Sequence, residues 1–246
     1  MNKKHAFNDF TEKNYARLLK AAKINYQFKG YADYKKSGKM IIMRHDIDYS
    51  VHRACSLAQI EARQDIQTTY FINLHSEYYN IWEKEIAQLI GKIISLGHEI
   101  GLHFDPMFYE KDPGNLVEHL TWEKSILEKL FKQAVQVFSF HNPSVGNWLD
   151  VKKERIGGML NAYSAYFKEN YHYCSDSNGY WRFERLGDVL KEAKEVKLHL
   201  LIHPEWWTPR AISPRRRITR CIDGRAKKQL DLYKALLKKW GRKDIT

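Results

Sequence analysis

The sequence predicts an α/β fold in which parallel strands alternate with crossover helices. Three observations predict it. Short apolar, β-branched or aromatic runs are separated by amphipathic stretches of helical length, and this alternation repeats at least five times. Four of the apolar runs end in acids or histidines, as expected when strand ends gather at one active face. No GxGxxG follows the first strong strand, which argues against a dinucleotide site. The alternation alone is satisfied by an open doubly wound sheet and by a barrel.

The elements follow in order. Residues 10–26 have helical spacing, with Tyr15, Leu18, Leu19 and Ala22 on one side. Residues 39–44 contain Met40-Ile41-Ile42-Met43, a run suited to a buried strand. Ser50 is positioned to cap a helix reaching about Arg63. Residues 67–72 read as a strand and 81–96 as an amphipathic helix stopped by Gly97. A strand over 98–103, a long helix over 115–132 and a strand over 135–140 follow. Between Trp148 and Ser177 the pattern is irregular, with strand-like aromatic pieces at 163–167 and 171–174. A helix is expected over 186–196, a strand over 197–202 and a basic terminal helix over about 224–240. No repeat or linker divides the chain, so residues 1–246 read as one domain with a motif-bearing core over about 40–207.

Hydrophobic residues make up 43% and charged residues 28% of the 246, which excludes a disordered chain. The 41 Lys and Arg exceed the 29 Asp and Glu by 12, with much of the excess after Pro209. Such a balance favours anionic partners, including phosphates and a peripheral membrane surface. No nucleic-acid motif accompanies it, so nucleic acid is not an expected partner. Cys55, Cys174 and Cys221 are few and scattered, so neither a disulfide framework nor a cysteine zinc site is expected. The basic N-terminus lacks an apolar segment, and no run approaches the roughly 18 apolar residues of a membrane span. A cytoplasmic location is the expectation. Nothing predicts the oligomeric state.

The chemistry concentrates at the strand ends. Arg44-His45-Asp46-Ile47-Asp48 follows the first strong strand, His103-Phe104-Asp105 ends another, and His141-Asn142-Pro143 and His203-Pro204-Glu205 end two more. Asp46 and Asp48 are two apart and point the same way in an extended segment. A divalent cation relieves the repulsion of two such carboxylates and leaves one of them free to act as a base. His98 and His103 lie roughly 17 Å apart on opposite faces of a strand and cannot share an ion. His103 is the better ligand and His98 the structural group. With Asp48 and His103, either His141 or Asp105 completes an imidazole–carboxylate set of the kind zinc favours; His141 is preferred. His203 suits a general acid that protonates a leaving amine. Trp206 and Trp207 are candidates for a wall against which a sugar ring stacks. Asp176 and Arg182 are further candidates for substrate contact, either by pairing with each other or by Arg182 meeting an anion.

These motifs resemble those of the polysaccharide deacetylases, the NodB-homology or carbohydrate esterase 4 group, over about residues 40–207. Asp46-Ile47-Asp48 resembles the first, acid-bearing motif. Gly97-His98-Glu99-Ile100-Gly101-Leu102-His103 is the most specific match, and Leu201-Ile202-His203-Pro204 resembles the last motif. The resemblance implies a distorted (β/α) barrel of about seven parallel strands. It implies Asp46 as base, Asp48 and His103 as metal ligands and His203 as acid. One departure stands out: the second histidine usual four residues after the first is replaced by Met107. The variant pattern is associated with bacterial surface-polysaccharide biosynthesis. The expected activity is metal-dependent removal of an N-acyl group, acetyl or formyl, from a nucleotide- or lipid-linked amino sugar. Arg215-Arg216-Arg217 would meet the carrier phosphates. The rivals are a sugar O-acyl esterase and a barrel that has lost its metal and only binds glycan or biosynthetic partners.

Overall fold

The computed structural model describes residues 6–110 and 113–245. Its strands are β1 (Gln27–Lys29), β2 (Met40–Ile47), β3 (Thr69–Ile72), β4 (Glu99–Phe104), β5 (Val137–Phe140), β6 (Arg155–Ile156), β7 (Met159–Asn161), β8 (His172–Ser175) and β9 (Lys197–Ile202). Its helices are α1 (Glu12–Asn25), α2 (Val51–Ala62), α3 (Lys84–Ser95), α4 (Leu116–Phe131), α5 (Ala165–Asn170), α6 (Leu186–Glu192) and α7 (Pro214–Lys239). The strands form one sheet in the order β6-β7-β5-β4-β3-β2-β9-β8, with β1 added beside β2. From β7 to β8 every pairing is parallel, so seven strands run one way and curl into an incomplete (β/α) barrel. β6 and β8 end the sheet, and no hydrogen-bonded strand pair joins them among the described residues.

Strand alternation sorts the side chains into two layers. Ile41, Met43, Ile47, Tyr70, Ile72, Leu102, Phe138 and Ile202 face outward and pack under the helices. Met40, Ile42, Phe71, Val137 and Leu160 face inward, where Tyr31 and Phe167 meet them. Asp46 follows Met40 and Ile42 at even spacing, and His103, His141 and His203 keep the inward parity of their strands. The register pairs Asp46 with Phe71, Phe71 with Gly101 and His103 with Ser139. One set of parities therefore places the acids and imidazoles together at the carboxyl end.

Gly101 shows how tightly this layer is packed. A β-carbon there would lie 2.8 Å from Phe71 Cε1 and 2.9 Å from its Cδ1. Phe71 is fully buried and braced edge-on by Tyr31, so the ring has little room to yield. Gly101→Ala is expected to cost about 1–3 kcal/mol of stability, read as a lower urea midpoint. An unchanged midpoint would mean the Phe71 ring moves aside freely.

Several local expectations hold. Ser50 caps α2 by accepting from the Arg53 N–H, and Gly97 closes the turn after α3. Others are corrected. β2 runs on to Ile47, so His45 and Asp46 belong to the strand itself. The strand expected over 163–167 is instead the start of α5; Phe167 packs on Tyr31 and His199 from a helix, and tertiary packing overrides its β propensity. The irregular stretch also contains the β6–β7 hairpin, whose turn places Gly157 and Gly158 at φ 57° and 77°. α6 stops at Glu192, and α7 begins at Pro214 rather than near Gly224, because a proline in the first turn suits a helix start and Gly224 does not break the helix. No helix among the described residues is long and apolar enough to cross a membrane.

Candidate active site

The carboxyl ends of β2, β4, β5 and β9 open into a cavity of about 1010 Å³, lined by Asp46, Asp48, His103, His141 and His203 among others. The ligand atoms of Asp48, His103 and His141 lie within 4.8 Å of one another, the span of a metal-ion ligand set. His103 Nδ1 pairs with the Ser139 hydroxyl at 2.7 Å, which aims Nε2 at Asp48 Oδ1, 3.1 Å away. Asp48 Oδ1 and His141 Nδ1 are buried without a well-formed hydrogen bond. Buried, convergent and under-satisfied oxygen and nitrogen donors fit a divalent cation. Asp105 lies outside this set. Its side chain caps the 3-10 turn at Pro106–Tyr109 by accepting from Met107 N, and its other oxygen pairs with His141 Nδ1 at 3.2 Å. Met107 lies on that turn at the cavity wall. The strand β5 thus brings the His141 imidazole to the cavity that Met107 also lines.

The carboxylates and imidazoles of the cluster shift one another. Burial pushes Asp48 upward, but His103, His203 and His141 outweigh it and hold the carboxyl at about 2. Burial lowers His141, yet its pairing with Asp105 and the nearby Asp48 raise it overall.

Asp46 is buried, with one oxygen 3.4 Å from Arg44 Nη2 and 3.8 Å from His103 Nδ1. Arg44 is fully buried, with its guanidinium 4.3 Å over the Tyr163 ring. Its nitrogens make no hydrogen bond among the described residues, and the Asp46 carboxylate 3.4 Å away is a counter-charge to it. Behind β2, on the outward face, His45 pairs with Glu61 at 2.7 Å, and Tyr15, Thr68 and Tyr70 also donate to Glu61. Burial drives Glu61 up to about 7 despite these donors. His98 belongs to this supporting layer, accepting from Thr68 N and meeting the Ala58 carbonyl, as expected of a structural histidine.

His203 stands across the cavity, its Nε2 3.9 Å from Asp48 Oδ2. Asp176 holds its other side, with Oδ1 2.7 Å from Nδ1 and 2.9 Å from the backbone N. Burial alone would lower His203, but Asp176, with Asp48 and Glu205, raises it to about 10. Asp176 was expected to touch substrate. It is fully buried and positions His203 instead, and it also accepts from the Trp207 indole at 2.8 Å. Trp207 is likewise no substrate wall: it is fully buried against Phe10 and Tyr15. Trp206 does line the cavity beside Tyr49, and Arg182 stands exposed at the cavity wall without pairing with Asp176. The sequence reading missed Arg44, Ser139 and the pairing of Asp176 with His203. Arg44 was in view as part of the first motif. The other two depend on strands meeting across the fold.

No protein-family model matches the chain, and no curated protein matches it. In structure the chain is similar to a family 4 carbohydrate esterase from Bacillus anthracis, at 18% identity and a TM-score of 0.43, covering 87% of this chain and 86% of that one. It is also similar to the peptidoglycan deacetylase PdaC from Bacillus subtilis, at 13% identity and a TM-score of 0.45, covering 82% and 98%. A family 4 acetyl xylan esterase from Clostridium thermocellum, determined with a cobalt ion, is similar at 10% identity and a TM-score of 0.42, covering 75% and 84%. At such identities the chemistry of this site rests on its own residues.

Proposed function

We propose that this chain is a metal-dependent hydrolase that removes an N-acetyl or N-formyl group from an amino sugar. One observation carries this reading: an acid–base pair flanks the Asp48–His103–His141 set, with Asp46 3.8 Å from His103 and His203 3.9 Å from Asp48. A zinc ion suits one carboxylate and two imidazoles with a position left open, and when bound it supplies the positive charge that polarises an acyl carbonyl. Asp46 takes a proton from the attacking water as the new C–O bond forms. The Arg44 guanidinium places a positive charge 3.4 Å from that carboxylate. His203, held protonated by Asp176, gives its Nε2 proton to the nitrogen as the C–N bond breaks. The products are a free amine and a small carboxylic acid. The Trp206 wall and the cavity size suit a sugar ring with a further attached group. A nucleotide- or lipid-linked sugar of bacterial surface-polysaccharide biosynthesis is the substrate class we assign.

Elemental analysis of protein prepared without a histidine tag tests the centre. About one divalent ion per chain is expected, and its loss in His103→Ala. Protein that takes up no ion even after zinc is added overturns the hydrolase, and leaves Met107 as the mark of a lost site and a barrel that only binds. Release of free amine from N-acetyl and N-formyl amino sugars then tests the reaction.

A further inference from the structure

α7 is tied to the body by side chains up to Lys228. Arg217 is buried near the Gly179 carbonyl, Arg225 forks onto Glu83, and Lys228 pairs with Glu85 at 3.1 Å. Beyond Lys228 the helix runs on with almost every side chain exposed. From Ala226 onward one set of apolar residues has helical spacing, with Leu232, Ala235 and Leu236 off it. Ala226, Leu230, Tyr233, Leu237 and Trp240 recur at spacings of four, three, four and three, one stripe of a helix. Leu230 and Tyr233 are each 51% exposed and Trp240 is 58% exposed. At 100° per residue Lys227, Lys234 and Lys238 fall on the flank of this stripe. Across Pro214–Lys239 ten Lys and Arg stand against two Asp.

This pattern selects its partner. A second copy laid along the stripe would bring these lysines against their own counterparts, which opposes self-pairing. Tyr and Trp at the stripe, with Leu between them and cations beside them, match the requirements of a lipid–water boundary. The anchoring points also matter. α7 packs on the turn Pro204–Trp206 that follows His203, and Glu83 precedes α3 on the cavity side of the sheet. We propose that α7 lies in the surface of an anionic bilayer, with Leu230, Tyr233, Leu237 and Trp240 at the acyl boundary and its lysines at the lipid phosphates. The cavity mouth then stands beside that surface.

Co-sedimentation of the full chain with vesicles tests this. Binding is expected to vesicles of phosphatidylcholine with phosphatidylglycerol, to fall steeply as salt is raised, and to be weak on phosphatidylcholine alone. Leu230→Glu/Tyr233→Glu, at exposed positions, is expected to weaken partition by at least about ten-fold. Lys227→Glu/Lys234→Glu/Lys238→Glu is expected to weaken it similarly by the charge arm alone. Circular dichroism confirms that each variant keeps its fold. Absence of binding to the anionic vesicles at low salt overturns the proposal. So does binding unchanged in both variants, or a dimer in sedimentation velocity that Leu230→Glu/Tyr233→Glu dissolves without any vesicle binding. Capture of an acidic protein by α7 without vesicle binding overturns it as well.

Discussion

Asp46→Asn is expected to lower kcat by ~10²–10⁴-fold while leaving metal content close to that of the parent chain. The change keeps the shape of the side chain and removes its capacity to take a proton. Asp46 is not one of the three residues whose ligand atoms cluster, so the ion should remain. It does face a buried guanidinium at 3.4 Å, and an amide there leaves Arg44 less well partnered. Some loss of stability therefore accompanies the variant, and circular dichroism melts should be recorded beside the kinetics. If Asp46→Asn retains parental kcat with its ion bound, the base lies elsewhere. If the ion is lost with activity, Asp46 is a ligand rather than a base.

Asp176→Asn is expected to act at a distance from the substrate. The residue is fully buried and reaches the cavity only through His203. Its carboxylate is the main influence raising His203 to about 10, against a burial effect in the other direction. Without it the imidazole loses its proton at lower pH, so the alkaline limb of the kcat/KM profile should move toward neutrality, with kcat lowered at its optimum by ~10²-fold or more. The same pair affects stability. A histidine raised in the folded state contributes stability that is full below its unfolded value, roughly 6.5, and is lost as pH rises through about 10. In chelator-treated protein, stability contributed by this pair should decline across that window, and Asp176→Asn should flatten the decline. A merely structural Asp176 would lower stability at every pH and leave the alkaline limb in place.

Much of this site was legible one strand at a time. The apolar run Met40–Met43 placed the first strand, and the parity of Asp46 and Asp48 followed from pleating. His98 and His103 were separable by distance alone. The resemblance of residues 46–48, 97–103 and 201–204 to a known set of motifs pointed to Asp46, Asp48, His103 and His203. The errors fell where a residue's neighbour lies far away in the chain. Asp176 and Trp207 looked like substrate contacts because they are polar or aromatic near other motifs. Their hydrogen bond to each other, between the end of β8 and the turn after β9, places both in the interior. Ser139 carried no signal because a strand serine is common, and only its register opposite His103 gives it a task. Residues 163–167 read as strand because local propensity cannot see the packing of Phe167 on Tyr31 and His199.

By itself the sequence determined the alternation of strands and helices, the acids and imidazoles at the strand ends, and the basic helix after the last strand. Each of these depends on neighbours a few residues apart, through pleating, helical periodicity and turn chemistry. Only the tertiary structure brings the ligand atoms of His141, rather than those of Asp105, into one cluster with Asp48 and His103, pairs Asp176 with His203, and leaves Leu230, Tyr233 and Trp240 of α7 exposed. Those outcomes are set by which strands pair and at what register, and by which faces the folded body buries, and neither quantity is local in the chain.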